Sequence, residues 1–87
     1  MIVTFLFMNI TLFVKKNCLA CKRVKSKVER LLLNRKDISL TIEDLQETRP
    51  EGIVIVPALF IEDELYSYGE IDELKFIERV EAVPMRN

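Results

Sequence analysis

Three consecutive segments leave this chain little topological freedom. Residues 9–15 (Asn-Ile-Thr-Leu-Phe-Val-Lys) are rich in β-branched and aromatic side chains and read as a strand. Their near-continuous apolar character suits a central strand covered on both faces. From Leu19 to about Asn34 the period changes: Cys21, Val24, Val28, Leu31 and Leu32 recur at spacings of three and four, the signature of an amphipathic helix. Lys22, Arg23, Lys25, Lys27 and Arg30 take much of its remaining surface, and Asn34 is a suitable stop. Ile38-Ser39-Leu40-Thr41-Ile42 then alternates as a second strand. Two strands joined by a helix of about 16 residues make a parallel pair with a right-handed crossover.

The second half changes style. Residues 43–52 hold Glu43, Asp44, Glu47, Pro50, Glu51 and Gly52, and read as a loop with one or two helical turns starting near Arg49-Pro50. Ile53-Val54-Ile55-Val56 leads into Pro57, and Ala58–Ile61 reads as a third strand. Glu62-Asp63-Glu64 is a turn, and Leu65–Tyr68 a fourth strand, antiparallel to the third. Gly69 interrupts the pattern. The last helix is expected from about Glu70 to Val83, with Ile71, Leu74, Ile77 and Val80 as its apolar stripe and Pro84 as its end. Glu70, Asp72 and Glu73 would crowd its first turn, where the helix dipole favours negative charge. The order β-α-β-(short α)-β-β-α predicts an α/β domain: a four-stranded mixed sheet with helices on both faces. Eighty-seven residues leave room for one core, expected over about 9–83, with residues 1–7 either an extension of the first strand or an upstream start.

The only two cysteines, Cys18 and Cys21, fall between the first strand and the first helix. Two thiols two residues apart at that junction can join with little backbone movement, and the helix N-terminus beyond them favours a thiolate. A ring this short removes little entropy from the unfolded chain, so the pair is poorly placed as a staple. The chain has no histidine, which excludes Cys/His zinc sites and Cys–His nucleophiles, and two cysteines cannot alone fill a four-ligand site. No metal site is therefore expected within one chain.

Charge is divided unevenly. Residues 1–36 carry nine Lys/Arg against one acid, Glu29, while residues 37–87 carry four against thirteen Asp/Glu. Lys15, Lys16, Lys22, Arg23, Lys25 and Lys27 surround the cysteines, and read either as a positive field that lowers thiol pKa and attracts anionic partners or as a solvated helix face. Aromatic residues are not interleaved with this basic run, so nucleic acid is not an expected partner. Met1–Val14 is apolar but shorter than a bilayer span and lacks the basic flank of a signal peptide. No membrane partner is expected, and the reading favours the cytoplasm, where a CxxC pair is more often catalytic than structural.

Cys18-Leu19-Ala20-Cys21 after the first strand, Val56-Pro57 before the third, then a hairpin and a closing helix together resemble the thioredoxin fold over about residues 9–83. Within that superfamily the chain looks most like the small glutaredoxin-like and thioredoxin-like proteins. The resemblance implies that Cys18 attacks as a thiolate and that Cys21, about one turn into the helix, resolves the mixed disulfide. It implies a cis Val56–Pro57 bond that exposes the backbone of Val56 to an extended peptide or glutathione. Lys15 matches a glutathione-contacting lysine of glutaredoxins, and Gly69 and Asp72 approximate their Gly-Gly-x-x-Asp motif, with Tyr68 in place of the first glycine. Arg49 is a candidate for the carboxylate contact of the second helix. The chain departs from thioredoxin at Asn17, where a tryptophan is usual, at Leu12, where a buried acid is usual, and in the inner pair Leu19-Ala20.

These readings predict a monomeric thiol–disulfide oxidoreductase with no bound cofactor. Its substrates would be protein or glutathione-mixed disulfides, and its electrons would come from glutathione as co-substrate or from a flavoprotein reductase. Two alternatives stay open at this level: a soft-metal or cluster-binding module that uses the dithiol pair, and a non-catalytic domain that recognises a partner protein.

Overall fold

The computed structural model describes residues 8–45 and 55–81. Its elements run β1 (Met8–Val14), α1 (Leu19–Leu31), β2 (Ile38–Asp44), β3 (Ala58–Ile61), β4 (Glu64–Tyr68) and α2 (Glu73–Glu81). The strands form one mixed sheet in the order β2-β1-β3-β4. β1 pairs parallel with β2, from Met8 opposite Ile38 to Val14 opposite Asp44. On its other edge β1 pairs antiparallel with β3, from Ile10 opposite Ile61 to Phe13 opposite Ala58. β1, whose long apolar run suits cover on both faces, is thus an inner strand.

Helix α1 has no glycine or proline within it, and Cys18 caps its N-terminus. It carries Cys21, Val24 and Val28 as its buried stripe. At 13 residues it is about 20 Å long, enough to return the chain along the seven-residue β1 and start a parallel β2. It ends at Leu31, short of the expected Asn34. The N–H of Leu32 still donates to the Val28 carbonyl, but residues 32–34 already form turns. Strand β2 runs two residues beyond Ile42, through Glu43 and Asp44, because the ladder to β1 continues after the apolar alternation stops.

The β3–β4 hairpin turns at Glu62 and Asp63, both in left-handed backbone (φ 53° and 70°). That geometry follows the twist of the flanking strands. The Glu62 N–H donates to the Asn9 carbonyl at 2.8 Å, which pins the turn against the start of β1. A bulge between Leu59 and Phe60 lets Tyr66 pack toward the core, where its ring meets Phe76 edge-on at 5.9 Å.

Ile10 and Leu12, facing Ile61 and Leu59 in register, form one face of the sheet. Val24, Val28 and Leu32 from the α1 region join them in a single cluster with Ile71, Phe76 and Val80 from the α2 region. Each such side chain removed from water contributes about 1.5–3 kcal/mol before the entropy of ordering it is counted. Both described helices therefore pack on the same face of the sheet. The other face carries Phe13, Ala58 and Phe60, with the two phenylalanine rings edge-on at 5.5 Å. The segment in which a short helix is expected, including Arg49, lies outside the described residues, as do residues 1–7 and Pro84.

Helix α2 differs from the sequence expectation in its start and in its buried face. It starts at Glu73, not Glu70, with Asp72 in the capping position. Asp72 Oδ1 accepts from the Lys75 N–H at 3.0 Å, and the Asp72 carbonyl accepts from the Phe76 N–H. Its buried residues are Phe76 and Val80, four apart, while Leu74 points to solvent. Ile71 is buried, but from the loop before the helix. Among the described residues no helix is long and apolar enough to cross a membrane.

Candidate active site

The site begins where β1 hands the chain to α1. Asn17 adopts a left-handed conformation (φ 59°), which asparagine tolerates better than most side chains and which reverses the chain after the strand. Cys18 is extended (φ −112°, ψ 106°), the backbone of an N-cap. Its sulfur accepts the Cys21 N–H at 3.0 Å, and its carbonyl accepts the Lys22 N–H at 3.1 Å. Sulfur thus takes the place that a serine or aspartate oxygen usually fills, satisfying one of the free amides of the first turn. Cys18 and Cys21 are joined as a disulfide, with Cα atoms 5.1 Å apart. The two cysteines differ in access. Cys18 is half-buried, whereas Cys21 lies inside the apolar stripe of α1 at 2% exposure.

The opposite wall comes from β3 and β4. The Val56–Pro57 peptide is cis, and Pro57 is fully buried. The Pro57 carbonyl accepts the Gly69 N–H at 2.7 Å. Gly69 has φ 73°, and a Cβ placed there would meet no atom within 4 Å. Backbone conformation, not crowding, is what this position asks of glycine. Ala58 pairs with both Phe13 and Tyr68. That register brings the end of β1, the start of β3 and the end of β4 to one end of the sheet, where the chain leaves β1 for the cysteine turn. Cys18, Cys21, Lys15, Val56, Pro57 and Gly69 therefore converge there. Val56 is half-buried, Ile55 and Tyr68 are exposed, and Leu19, next to Cys18, is 70% exposed. Asp72 is exposed three residues past Gly69, where it serves as the cap of α2.

Electrostatics divide the basic residues into two groups. Lys15, Lys16 and Lys22 are exposed around the cysteine turn. Arg23, Lys27 and Arg30, further along α1, face acids of the α2 region. Arg23 lies 2.8 Å and Lys27 3.7 Å from Glu70, and Arg30 lies 2.7 Å from Glu73. Lys25 pairs with Glu29 at 3.7 Å within the helix. The hydrogen bond from Arg23, and then the charges of Arg23 and Lys27, hold the Glu70 carboxyl below its usual range. The positive field expected from six cations is thus largely offset at three of them. Glu43 and Asp44, half-buried and engaged in interactions of their own, close β2 at the same end of the sheet.

Leu12, six residues before Cys18, is completely buried in the main cluster, so this position of β1 contributes packing and no carboxylate. Sequence reasoning missed the role of Glu70, which it placed inside a helix. The available signal was Asp72 itself, an N-cap residue type shortly before the buried Phe76, which leaves Glu70 in the loop before the helix. Among the described residues no group of three or more His, Cys, Asp or Glu side chains is placed to hold a metal ion.

Comparison with known proteins matches residues 8–82 to the model of the family described as a thioredoxin domain. No curated protein matches the chain. With nearly all of its length inside that match, and with a Cys18–Cys21 pair at the head of α1, the chain belongs to the thioredoxin-domain family.

Proposed function

We propose that this thioredoxin-domain protein is a dithiol–disulfide oxidoreductase that reduces protein or glutathione-mixed disulfides. One observation carries the reading: the half-buried Cys18 sulfur caps α1, while its partner Cys21 is buried one turn further in. Once the pair is reduced, negative charge on the Cys18 sulfur is favoured by the Cys21 N–H and the positive end of the helix dipole. Cys18 is then the accessible nucleophile and Cys21 the resolving thiol.

The steps balance without a bound cofactor. The Cys18 thiolate attacks one sulfur of a substrate disulfide, forms a mixed disulfide and expels the other substrate sulfur as a thiolate. Cys21, having lost its proton, attacks the Cys18 sulfur and closes the Cys18–Cys21 bond. The second substrate sulfur leaves, and two electrons have passed to the substrate. A thiol donor, either glutathione or a flavoprotein reductase in a reducing cytoplasm, returns the pair to the dithiol. Val56 and Pro57 present a backbone edge for an extended substrate, with Gly69 bracing Pro57 and Lys15 alongside Cys18. In this reading Asp72 assists by fixing the turn that follows Gly69.

The test is a pair of variants assayed for disulfide reduction. Cys18→Ser abolishes turnover. Cys21→Ser accumulates a covalent adduct with substrate, seen by mass spectrometry and released by excess thiol. Full turnover by Cys18→Ser would overturn the assignment.

A further inference from the structure

Glu70 receives more than an ordinary surface carboxylate. Arg23 Nε donates to Glu70 Oε2 at 2.9 Å, Arg23 Nη2 lies 2.8 Å from the same oxygen, and Lys27 Nζ lies 3.7 Å from Oε1. Lys27 Nζ also donates to the Ile71 carbonyl at 3.4 Å, one residue along. Immediately before Glu70, Gly69 donates its N–H to Pro57; immediately after it, Ile71 is buried in the core. Residues 69–71 are thus held at three points: to the Pro57 backbone, to the core and to α1. The remaining ion pairs between the α1 region and α2, Arg30–Glu73 and Arg35–Glu81, lie further from the cysteine turn and do not touch this segment.

The two halves of the site sit on different elements. The cysteines ride on α1, and the docking edge at Val56-Pro57 rides on β3 and the Gly69 loop. Arg23 is two residues beyond Cys21, so the Glu70 pairing joins the halves close to the disulfide. An exposed ion pair adds little to global stability, but one that fixes a loop beside a reacting group acts on geometry. We propose that Glu70 is a positioning residue: clasped by Arg23 and Lys27, it straps the Gly69–Ile71 segment to the cysteine helix and sets the Pro57 edge at the distance a docked disulfide requires. This role rests on the oxidoreductase reading above.

The test compares two reactions of the full chain. One is reduction of a short extended disulfide peptide carrying a fluorophore and quencher, which needs the docking edge. The other is alkylation of reduced Cys18 by iodoacetamide at pH 9, which needs only an accessible thiolate. Glu70→Ala raises KM for the peptide about fivefold, with kcat and alkylation within about twofold of the parent. The charge-swapped pair Arg23→Glu with Glu70→Arg recovers most of the loss. Asp37→Asn, which breaks the remote Arg35–Asp37 pair, leaves both reactions unchanged. An unchanged KM, a loss that the swap does not recover, or alkylation falling in step with reduction would overturn the strap alone. A parent protein that alkylates normally but reduces no peptide would overturn the oxidoreductase reading, and the strap's role with it.

Discussion

Replacing Leu74 and Phe76, one at a time, tests the rotational setting of α2 against the core. The spacing Ile71-Leu74-Ile77-Val80 directs Leu74 inward, whereas in the structure Leu74 is 74% exposed and Phe76 fully buried. Among the described residues Phe76 is the largest side chain completely removed from water, and its ring meets Tyr66 edge-on. Truncating such a residue to alanine costs about 3–5 kcal/mol, of which the aromatic pair accounts for about 0.5–1.5 kcal/mol. At about 0.05–0.15 kcal/mol per residue, a domain of this length has about 4–13 kcal/mol in all. Phe76→Ala therefore removes a large share of the stability, and Phe76→Leu is the variant to quantify. It loses the ring contact and part of the volume, about 1–2 kcal/mol, which lowers Tm by about 4–16 °C in a domain of this size. Leu74→Ala stays within about 0.5 kcal/mol, because an exposed leucine gives way to the best helix former. Urea and thermal unfolding followed by far-UV circular dichroism measure both. A Leu74→Ala loss of 2 kcal/mol or more beside a neutral Phe76→Leu would show that the helix is set with its other face inward.

Other expectations follow from the same geometry. Gly69→Ala keeps the fold but strains a left-handed residue, and destabilises by about 1 kcal/mol with a Tm lower by about 4–8 °C; an unchanged Tm would show that the loop relaxes freely. In Cys21→Ser, the Cys18 thiol followed by thiolate absorbance near 240 nm titrates below the free-cysteine value of about 8.5; a midpoint at or above that value would remove the helix-terminus argument. Hydrogen bonds from Arg23 and Arg35 hold the Glu70 and Asp37 carboxyls low, so their contribution is present above the ordinary carboxylate range and is lost as pH falls through the depressed values. Burial pushes the Tyr66 phenol up, so the corresponding loss on the alkaline side begins as pH rises past the ordinary phenol range. Tm measured against pH should form a plateau between these limits, and a decline beginning near neutrality would contradict both assignments.

Much of the architecture was legible because local signals agreed. The apolar run of β1, the three-and-four spacing of α1 and the alternation of β2 each point to the same parallel unit. Glu62-Asp63 between two short apolar runs marks the hairpin. Misplaced features are those that depend on tertiary context. Periodicity alone gives the wrong phase for α2 because Ile71, buried from a loop, completes an apparent helical period with residues that belong to the helix. Glu43 and Asp44 join β2 because backbone pairing with β1 continues where side-chain alternation no longer reports it. Within the site, the cysteine pair and Val56-Pro57 stood out as motifs, but the clasp on Glu70 joins residues 47 positions apart, and no local pattern encodes it. Charge counting alone points to a uniform positive field, whereas Glu70 in the loop before α2 and Glu29 within α1 offset part of it.

The most direct measurement equilibrates the full chain against buffers of reduced and oxidised glutathione and counts free thiols by alkylation and mass spectrometry. The account predicts one two-electron transition between a dithiol and a Cys18–Cys21 disulfide, poised within roughly −200 to −270 mV, where thioredoxins and glutaredoxins operate. If no intramolecular disulfide forms at any ratio, the dithiol mechanism is wrong and a thiolate pair that binds soft metal becomes the leading account.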